Sequence, residues 1–259
     1  MHSEYGQRML NGKVIMITGA SSGIGASAAR LFAAEGARVV LMARREHRIR
    51  ALAEEITAAG GEALAHPGDV VRPDDVGDVV TAAVKTYGRL DGAFNNAGWA
   101  TVGGRLHETD DADFDRVLDV NLRGVWNCMR RQIPAMLELG QGGSIVNTSS
   151  CAGVLATGAG AAYVAAKHAV IGVTKAAAAD YGRDGIRVNA LVVGSTRTEL
   201  MEEVIAEMPA LEEAFTSRSA QQRMADPVEV AQAAAWLCSD RASFVTGAAV
   251  PVDGGWTAR

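Results

Sequence analysis

The sequence predicts an α/β protein: a doubly wound parallel sheet of about seven strands, with helices on both faces, in a single domain. Three observations carry that expectation. Short runs rich in Val and Ile alternate with longer Ala-rich segments of helical period along almost the whole chain. Those short runs are apolar throughout rather than at every second residue, as strands buried on both faces require. No Pro/Gly/Ser-rich linker, internal repeat or low-complexity tract divides the 259 residues. Strand–helix repetition of this kind implies right-handed crossovers between parallel neighbours.

The elements follow in order. "KVIMIT" (13–18), "RVVLMA" (38–43), "EALAH" (62–66), "LDGAFNN" (90–96), "GSIVNTS" (143–149), "RVNALVV" (187–193) and "AAVPVD" (248–253) have strand composition. Helical patterns fill 24–35, 46–59, 73–87, 110–139, 161–182 and 227–239. Residues 1–10 are expected to form an N-terminal extension. Residues 198–225 break the rhythm with an acidic, Met-bearing helical insertion, expected to act as a lid over the substrate.

Composition narrows the function classes. A net charge of −5 gives no electrostatic case for nucleic acid or an anionic membrane as partner. Three well-separated cysteines are neither a disulfide framework nor a metal knuckle, and they fit a reducing compartment. The five histidines form no metal-ligand pair, so no metal is expected. The opening "MHSEYGQRML" is polar, without the apolar stretch of a secretory leader. No apolar run reaches membrane-spanning length. The expectation is a cytoplasmic protein.

Directly after the first strand stands "TGASSGIG". Its G-x-x-x-G-x-G spacing departs from GxGxxG, but the physics is shared. Gly19, Gly23 and Gly25 permit a tight turn and let backbone N–H groups approach a diphosphate at a helix N-terminus. Ser21 and Ser22 add hydroxyls, and Ile24 completes the turn. A strand–helix junction that merely needs glycine is the plainer account. The end of the second strand, where a carboxylate would accept from a ribose 2′-OH, carries Arg44 and Arg45 instead. A guanidinium pair matches a 2′-phosphate, which favours NADP(H) over NAD(H). A solvated basic start to the next helix, with Glu46 reaching a ribose hydroxyl, would keep NAD(H) open. Asp69 and Val70 of "PGDV" follow the third strand, where Asp69 either accepts from an adenine amino group or caps a turn. Asn96, Ala97 and Gly98 of "NNAG" close the fourth strand at the edge where such sheets bind ligands.

"AAYVAAKHAV" (161–170) places Tyr163 and Lys167 on one face of a helix. A gap-filling ring and a snorkelling lysine would explain them blandly. "TGASSGIG", "NNAG", Asn121 in "VNLRG", a serine thirteen residues before Tyr163 and the Y-x-x-x-K pair together tell another story. In that order and spacing they resemble the short-chain dehydrogenase/reductase family, from about Lys13 to "VDGG" at 252–255.

The resemblance implies a Rossmann-type fold and carbonyl reduction, with Ser150, Tyr163, Lys167 and Asn121 as the catalytic set. A phenol with a pKa near 10 exchanges protons poorly at neutrality, and a neighbouring ammonium favours the phenolate. Lowering that pKa by about three units needs roughly 4 kcal/mol. Strand alternation alone does not choose between Ser149 and Ser150; family spacing selects Ser150. The matching asparagine of the family interrupts its helix and holds a water beyond the lysine, and the lysine also bonds the nicotinamide ribose. Gly194, Thr196 and Thr198 would meet the cofactor, with Val193 standing where the family usually has proline. That replacement is expected to loosen the turn.

Trp99, Ser150, Cys151 and Met201 are the expected substrate contacts, with Met208, Leu211 and Phe215 as further wall candidates. The substrate expected is a mainly apolar ketone or secondary alcohol. A homotetramer, or a dimer, is implied by the resemblance. A non-catalytic dinucleotide sensor would be expected to lose Tyr163 or Lys167. A serine hydrolase would need a G-x-S-x-G elbow where "TSSCA" stands.

Overall fold

The computed structural model describes residues 8–99 and 104–258. Seven parallel strands form one sheet in the order β3-β2-β1-β4-β5-β6-β7. They are β1 (Val14–Thr18), β2 (Arg38–Ala43), β3 (Glu62–Pro67), β4 (Gly92–Asn95), β5 (Gly143–Ser150), β6 (Ile186–Val193) and β7 (Ala249–Val252). The order reverses between β1 and β4, and the carboxyl edge there is the crevice in which such sheets bind ligands.

Strand alternation sorts the core into two layers. Ile15 and Ile17 point to one face, with α1 (Gly23–Ala34), α2 (Glu46–Ala58) and α9 (Pro227–Cys238). Val14 and Met16 point to the other, with α3 (Pro73–Tyr87), α5 (Gly124–Leu139) and α6 (Ala161–Tyr181). Because both faces are covered, the strands are apolar throughout.

The expectation of uniformly right-handed crossovers needs one correction. The β4–β5–β6 steps carry their helices on one face, yet β6–β7 runs in the same direction with α9 on the opposite face, beside α1. Its hand is therefore reversed. The connection first crosses the carboxyl edge through α7 (Glu199–Glu207) and α8 (Ala210–Arg218), which releases it from the short direct path. Ala28 and Ala29 of α1 are fully buried, as are Ala231, Ala234 and Ala235 of α9, and these small side chains let the two helices pack closely.

Two boundaries also differ. The pattern at 110–139 is α4 (Asp111–Leu118), a π-turn (Asp119–Arg123) and α5 rather than one helix. Leu10 is fully buried in the core, so the fold already includes the chain there; residues 1–7 of the expected extension lie outside the described residues. Among the described residues no helix is long and apolar enough to cross a membrane.

Candidate active site

The first strand–helix junction is shaped by close backbone approach. Gly19 and Gly23 have φ of +68° and +52°, which side chains disfavour. A Cβ on Gly25 would stand 2.3 Å from the Gly19 carbonyl oxygen, so nothing larger than glycine fits there. The turn is strapped to β4: the N–H groups of Asn96 and Ala97 donate to Thr18 Oγ1 at 3.0 and 3.1 Å. Beside it a groove of about 410 Å³ is lined by most of the expected cofactor residues: Gly19, Ser21, Ser22, Gly23, Ile24, Arg44, Arg45, Asp69, Val70, Asn96, Ala97, Gly98 and Thr198. Gly25 shapes the groove from behind. Gly194 lies in a neighbouring cavity, and Thr196 lines neither, because its hydroxyl turns back to the Gly194 carbonyl at 3.2 Å.

The two arginines differ in what they touch. Arg45 donates to Ser21 Oγ at 2.9 Å and Ser22 Oγ at 2.6 Å, which ties β2 to the glycine turn. Arg44 is well exposed and lies 4.0 Å from Asp69 Oδ2. Asp69 also accepts from the Val71 N–H at 3.1 Å, the turn role weighed for it.

At the end of β5, Ser149 and Ser150 separate cleanly. Ser149 Oγ donates to the Lys167 carbonyl at 2.9 Å and pins α6 to the strand. Ser150 lines a cavity together with Tyr163, and its hydroxyl oxygen accepts from the Ala152 N–H at 3.2 Å. Lys167 is buried and donates to the Thr148 carbonyl at 2.9 Å, with Nζ 5.4 Å from the centroid of the Tyr163 ring. Underneath, Asn95 Nδ2 donates to Asn147 Oδ1 at 2.9 Å and Asn147 Nδ2 to Thr174 Oγ1 at 3.0 Å. Gln132 Nε2 donates to Asn95 Oδ1 at 2.8 Å. This satisfied polar layer fixes β4 and β5 against α5 and α6.

Asn121 sits in the π-turn, fully buried. Its amide donates to the carbonyls of Trp99 at 2.6 Å and Val117 at 3.0 Å, and its oxygen accepts from the Trp99 N–H at 3.2 Å. The side chain is thus engaged with protein backbone. A Cβ on Gly98 would stand 3.1 Å from that amide oxygen and 3.7 Å from Lys167 Nζ, so Gly98 keeps the space between them open.

The electrostatics depart from expectation. Burial raises the Tyr163 pKa above its ordinary value, and the neighbouring Ser150 hydroxyl only partly offsets this. Burial also lowers Lys167 to about 8. The protein alone therefore keeps the phenol protonated instead of turning it into a phenolate.

Two of the expected substrate contacts, Trp99 and Cys151, lie off the Tyr163 cavity, and the expected effect of Val193 changes as well. Trp99 lines the dinucleotide groove, with Arg116 stacked 4.1 Å from its ring, and is not among the residues lining the Tyr163 cavity. Cys151 is fully buried with its thiol toward Asp253, and burial pushes its pKa up to about 12. Val193 does not loosen the turn: it stays in the ladder between Ser150 and Val252, and the Gly194 N–H donates to the Val252 carbonyl at 3.0 Å. Met201 does line the cavity, which measures about 280 Å³, together with Leu211 and Phe215; Met208 does not. Arg218 and Trp256 line it as well, and sequence pattern gave no sign of either. Their place depends on how α8 and the segment after β7 fold back. Thr198 lines both spaces, so groove and cavity meet there.

A family model described as enoyl-(acyl carrier protein) reductase matches residues 19–257. A-factor type gamma-butyrolactone 1'-reductase (1S-forming) of Streptomyces virginiae is 50% identical over 251 residues, covering 97% of this chain and 98% of that protein. The chain belongs to the short-chain dehydrogenase/reductase family. Cyclohexanol dehydrogenase of Acinetobacter sp. (strain SE19) is 43% identical, with 96% of each chain covered. The crystal structure of levodione reductase superposes with a TM-score of 0.91 at 36% identity, over 96% of this chain and 99% of that one. As a short-chain dehydrogenase/reductase the protein is an oxidoreductase of small molecules that works with a nicotinamide dinucleotide. The groove fits that group: Gly19 and Gly23, both at positive φ, line it together with the Ser21 and Ser22 hydroxyls at the start of α1, where a helix N-terminus favours a diphosphate.

Proposed function

We propose that this protein catalyses the reversible, NADPH-dependent reduction of a ketone to a secondary alcohol. One observation carries the proposal: the Tyr163 phenol, flanked by Ser150 and backed by buried Lys167, opens into an apolar cavity that joins the glycine-lined groove at Thr198. The nicotinamide supplies a hydride to the carbonyl carbon when bound. Ser150 and the Tyr163 Oη–H hold the substrate oxygen, and the phenol gives up its proton as that oxygen gains negative charge. A phenol kept protonated by burial suits the reductive direction. Lys167 lies where an ammonium stabilises the phenolate left behind, and Asn121 is assigned the role of fixing the Trp99 backbone around that proton route.

Arg45 and Arg44 support NADP(H) as the cofactor, as donors placed for a 2′-phosphate beside Ser21. NAD(H) is the second reading. It is favoured by carboxylates already facing those arginines, Asp69 at 4.0 Å from Arg44 and Glu199 at 3.7 Å from Arg45. The relatives' names point to ring compounds: a butyrolactone, a cyclohexadienediol and cyclohexanol. A cyclic ketone or secondary alcohol is accordingly the proposed substrate class. A homotetramer, or a dimer, is supported by exposed Trp126 on α5 and Trp236 on α9, and a cytoplasmic location by three buried free cysteines.

The test is Tyr163→Phe, assayed by ketone-dependent loss of NADPH absorbance. Turnover is expected to fall by roughly 10²–10⁴-fold while NADPH binding, followed by its fluorescence, persists. Undiminished turnover would refute the mechanism.

A further inference from the structure

We infer that Arg218 reads a second oxygen of the substrate, so that the cavity selects ketones carrying a further carbonyl or ester group besides the one that reacts. The inference rests on the proposed reaction for the identity of the first oxygen, and on separate observations for the second.

Arg218 is the one charged side chain among the described residues lining the Tyr163 cavity. The rest of the lid and sheet wall is largely apolar, formed by Val193, Met201, Val204, Leu211 and Phe215. Among these side chains the guanidinium is the charged hydrogen-bond donor that the wall presents beside its apolar groups. Trp256 covers it, with the guanidinium carbon 5.2 Å from the ring centroid. Stacking engages the planar face, whereas the five N–H donors lie in the plane, more than one partner can use. The guanidinium also sits beside Gly158, one of its nitrogens 3.5 Å from where a Cβ on that residue would stand, so both groups face the same cavity of about 280 Å³.

The arginine is also held in place. Ser219, the next residue, donates through its hydroxyl to the Gly254 carbonyl at 3.0 Å, and the Gln221 N–H donates there at 3.2 Å. A Cβ on Gly254 would come within 2.2 Å of that hydroxyl, so the close approach requires glycine. On the tail, the N–H groups of Gly255 and Thr257 bond the Asp253 carboxylate at 2.9 and 2.8 Å, which sets the Trp256 ring. The acidic lid side chains Glu202 and Glu212 are paired with Arg197. A fixed guanidinium costs little further ordering on binding and favours an oxygen acceptor over a methylene.

The decisive comparison uses cyclohexanone and cyclohexane-1,4-dione, each with NADPH and with NADH. Wild-type kcat/KM is expected to favour the dione by about tenfold or more, beyond the twofold owed to its two equivalent carbonyls. Arg218→Met should reduce the ratio to that twofold, and Arg218→Lys, which keeps charge but lacks the fork, should give an intermediate value. A wild-type ratio of about two, or a ratio unchanged in Arg218→Met, would overturn the inference and leave the proposed reaction standing. A binding arm works without turnover: δ-valerolactone, a ring ester, titrated calorimetrically into the NADPH-loaded protein. Its affinity should drop about tenfold in Arg218→Met, and equal affinity counts against the role of Arg218. If neither ketone reacts but lactone binding still depends on Arg218, the reaction fails and this inference survives.

Discussion

At the residue scale the decisive pair is Tyr163 and Lys167, and burial governs both. Spacing of i and i+4 put them on one helix face, but the sequence carries no measure of how dry that face becomes. Burial raises the phenol and brings the ammonium down to about 8. The lysine therefore opposes folding when charged. Its folded pKa of about 8 lies below the free value of 10.5, so the penalty is fully present below pH 8 and fades as pH rises toward 10.5. At 1.36 kcal/mol per unit the penalty is about 3 kcal/mol. Lys167→Met should accordingly raise the unfolding free energy at pH 7 by up to that amount, less the lost bond to Thr148, while activity collapses. Denaturant titrations at pH 7 and pH 10 check both parts: the wild type should gain stability across that interval relative to the variant. In the wild type, ketone reduction should decline above pH 8, as the ammonium behind the phenol loses its proton.

Among the elements, the π-turn at Asp119–Arg123 is the feature that periodicity did not reveal. The apolar pattern at 110–139 is continuous, because a one-residue widening shifts the helix phase without altering composition. Asn121 was legible as a candidate only through the family motif, and its contacts, three hydrogen bonds to the backbone of Trp99 and Val117, depend on a loop remote in sequence. Asn121→Ala would leave Trp99 backbone groups unpaired in a buried site, at a cost of about 1–3 kcal/mol per group. The expected outcome is a lower thermal midpoint together with weakened kcat. Asn121→Asp, whose second oxygen would face the Trp99 and Val117 carbonyls instead of donating to them, should not restore the stability. If Asn121→Ala retains wild-type stability, the turn is held by other contacts.

On the scale of the whole molecule, α7 is tied to the cofactor groove by charge. Glu199, first residue of α7, lies 2.5 Å from Arg48 and 3.7 Å from Arg45, while Arg45 also holds Ser21 and Ser22. These groups are roughly half exposed, so the pairs add little to stability. Their consequence is for ligand choice, since a 2′-phosphate would compete with the Glu199 carboxylate for the same guanidinium. Arg45→Ala should weaken NADPH binding much more than NADH binding. Glu199→Gln should do the reverse and tighten NADPH selectively. Fluorescence titration of both cofactors against both variants decides this, and an NADPH/NADH preference unmoved by either change would remove Arg45 and Glu199 from cofactor selection.

What the sequence determined by itself was everything encoded over short spans. The seven strands, the order of the helices, the glycine turn and the Tyr163–Lys167 pair follow from hydrophobic period, from glycine at a junction and from i,i+4 geometry, each set by a few consecutive residues. Strand alternation left Ser149 and Ser150 equal and family spacing selected Ser150, whereas the partner of Ser149, the Lys167 carbonyl, came only with the fold. Folding alone decided that Arg45 rather than Arg44 braces the glycine turn, that α9 crosses to the face of α1, that Trp99 belongs to the groove and that Cys151 is enclosed. It also brought Arg218 and Trp256, 38 residues apart in the chain, to one cavity wall. Such outcomes depend on distances between segments that pack only in three dimensions, and on the water those contacts exclude, neither of which a local pattern of residues records.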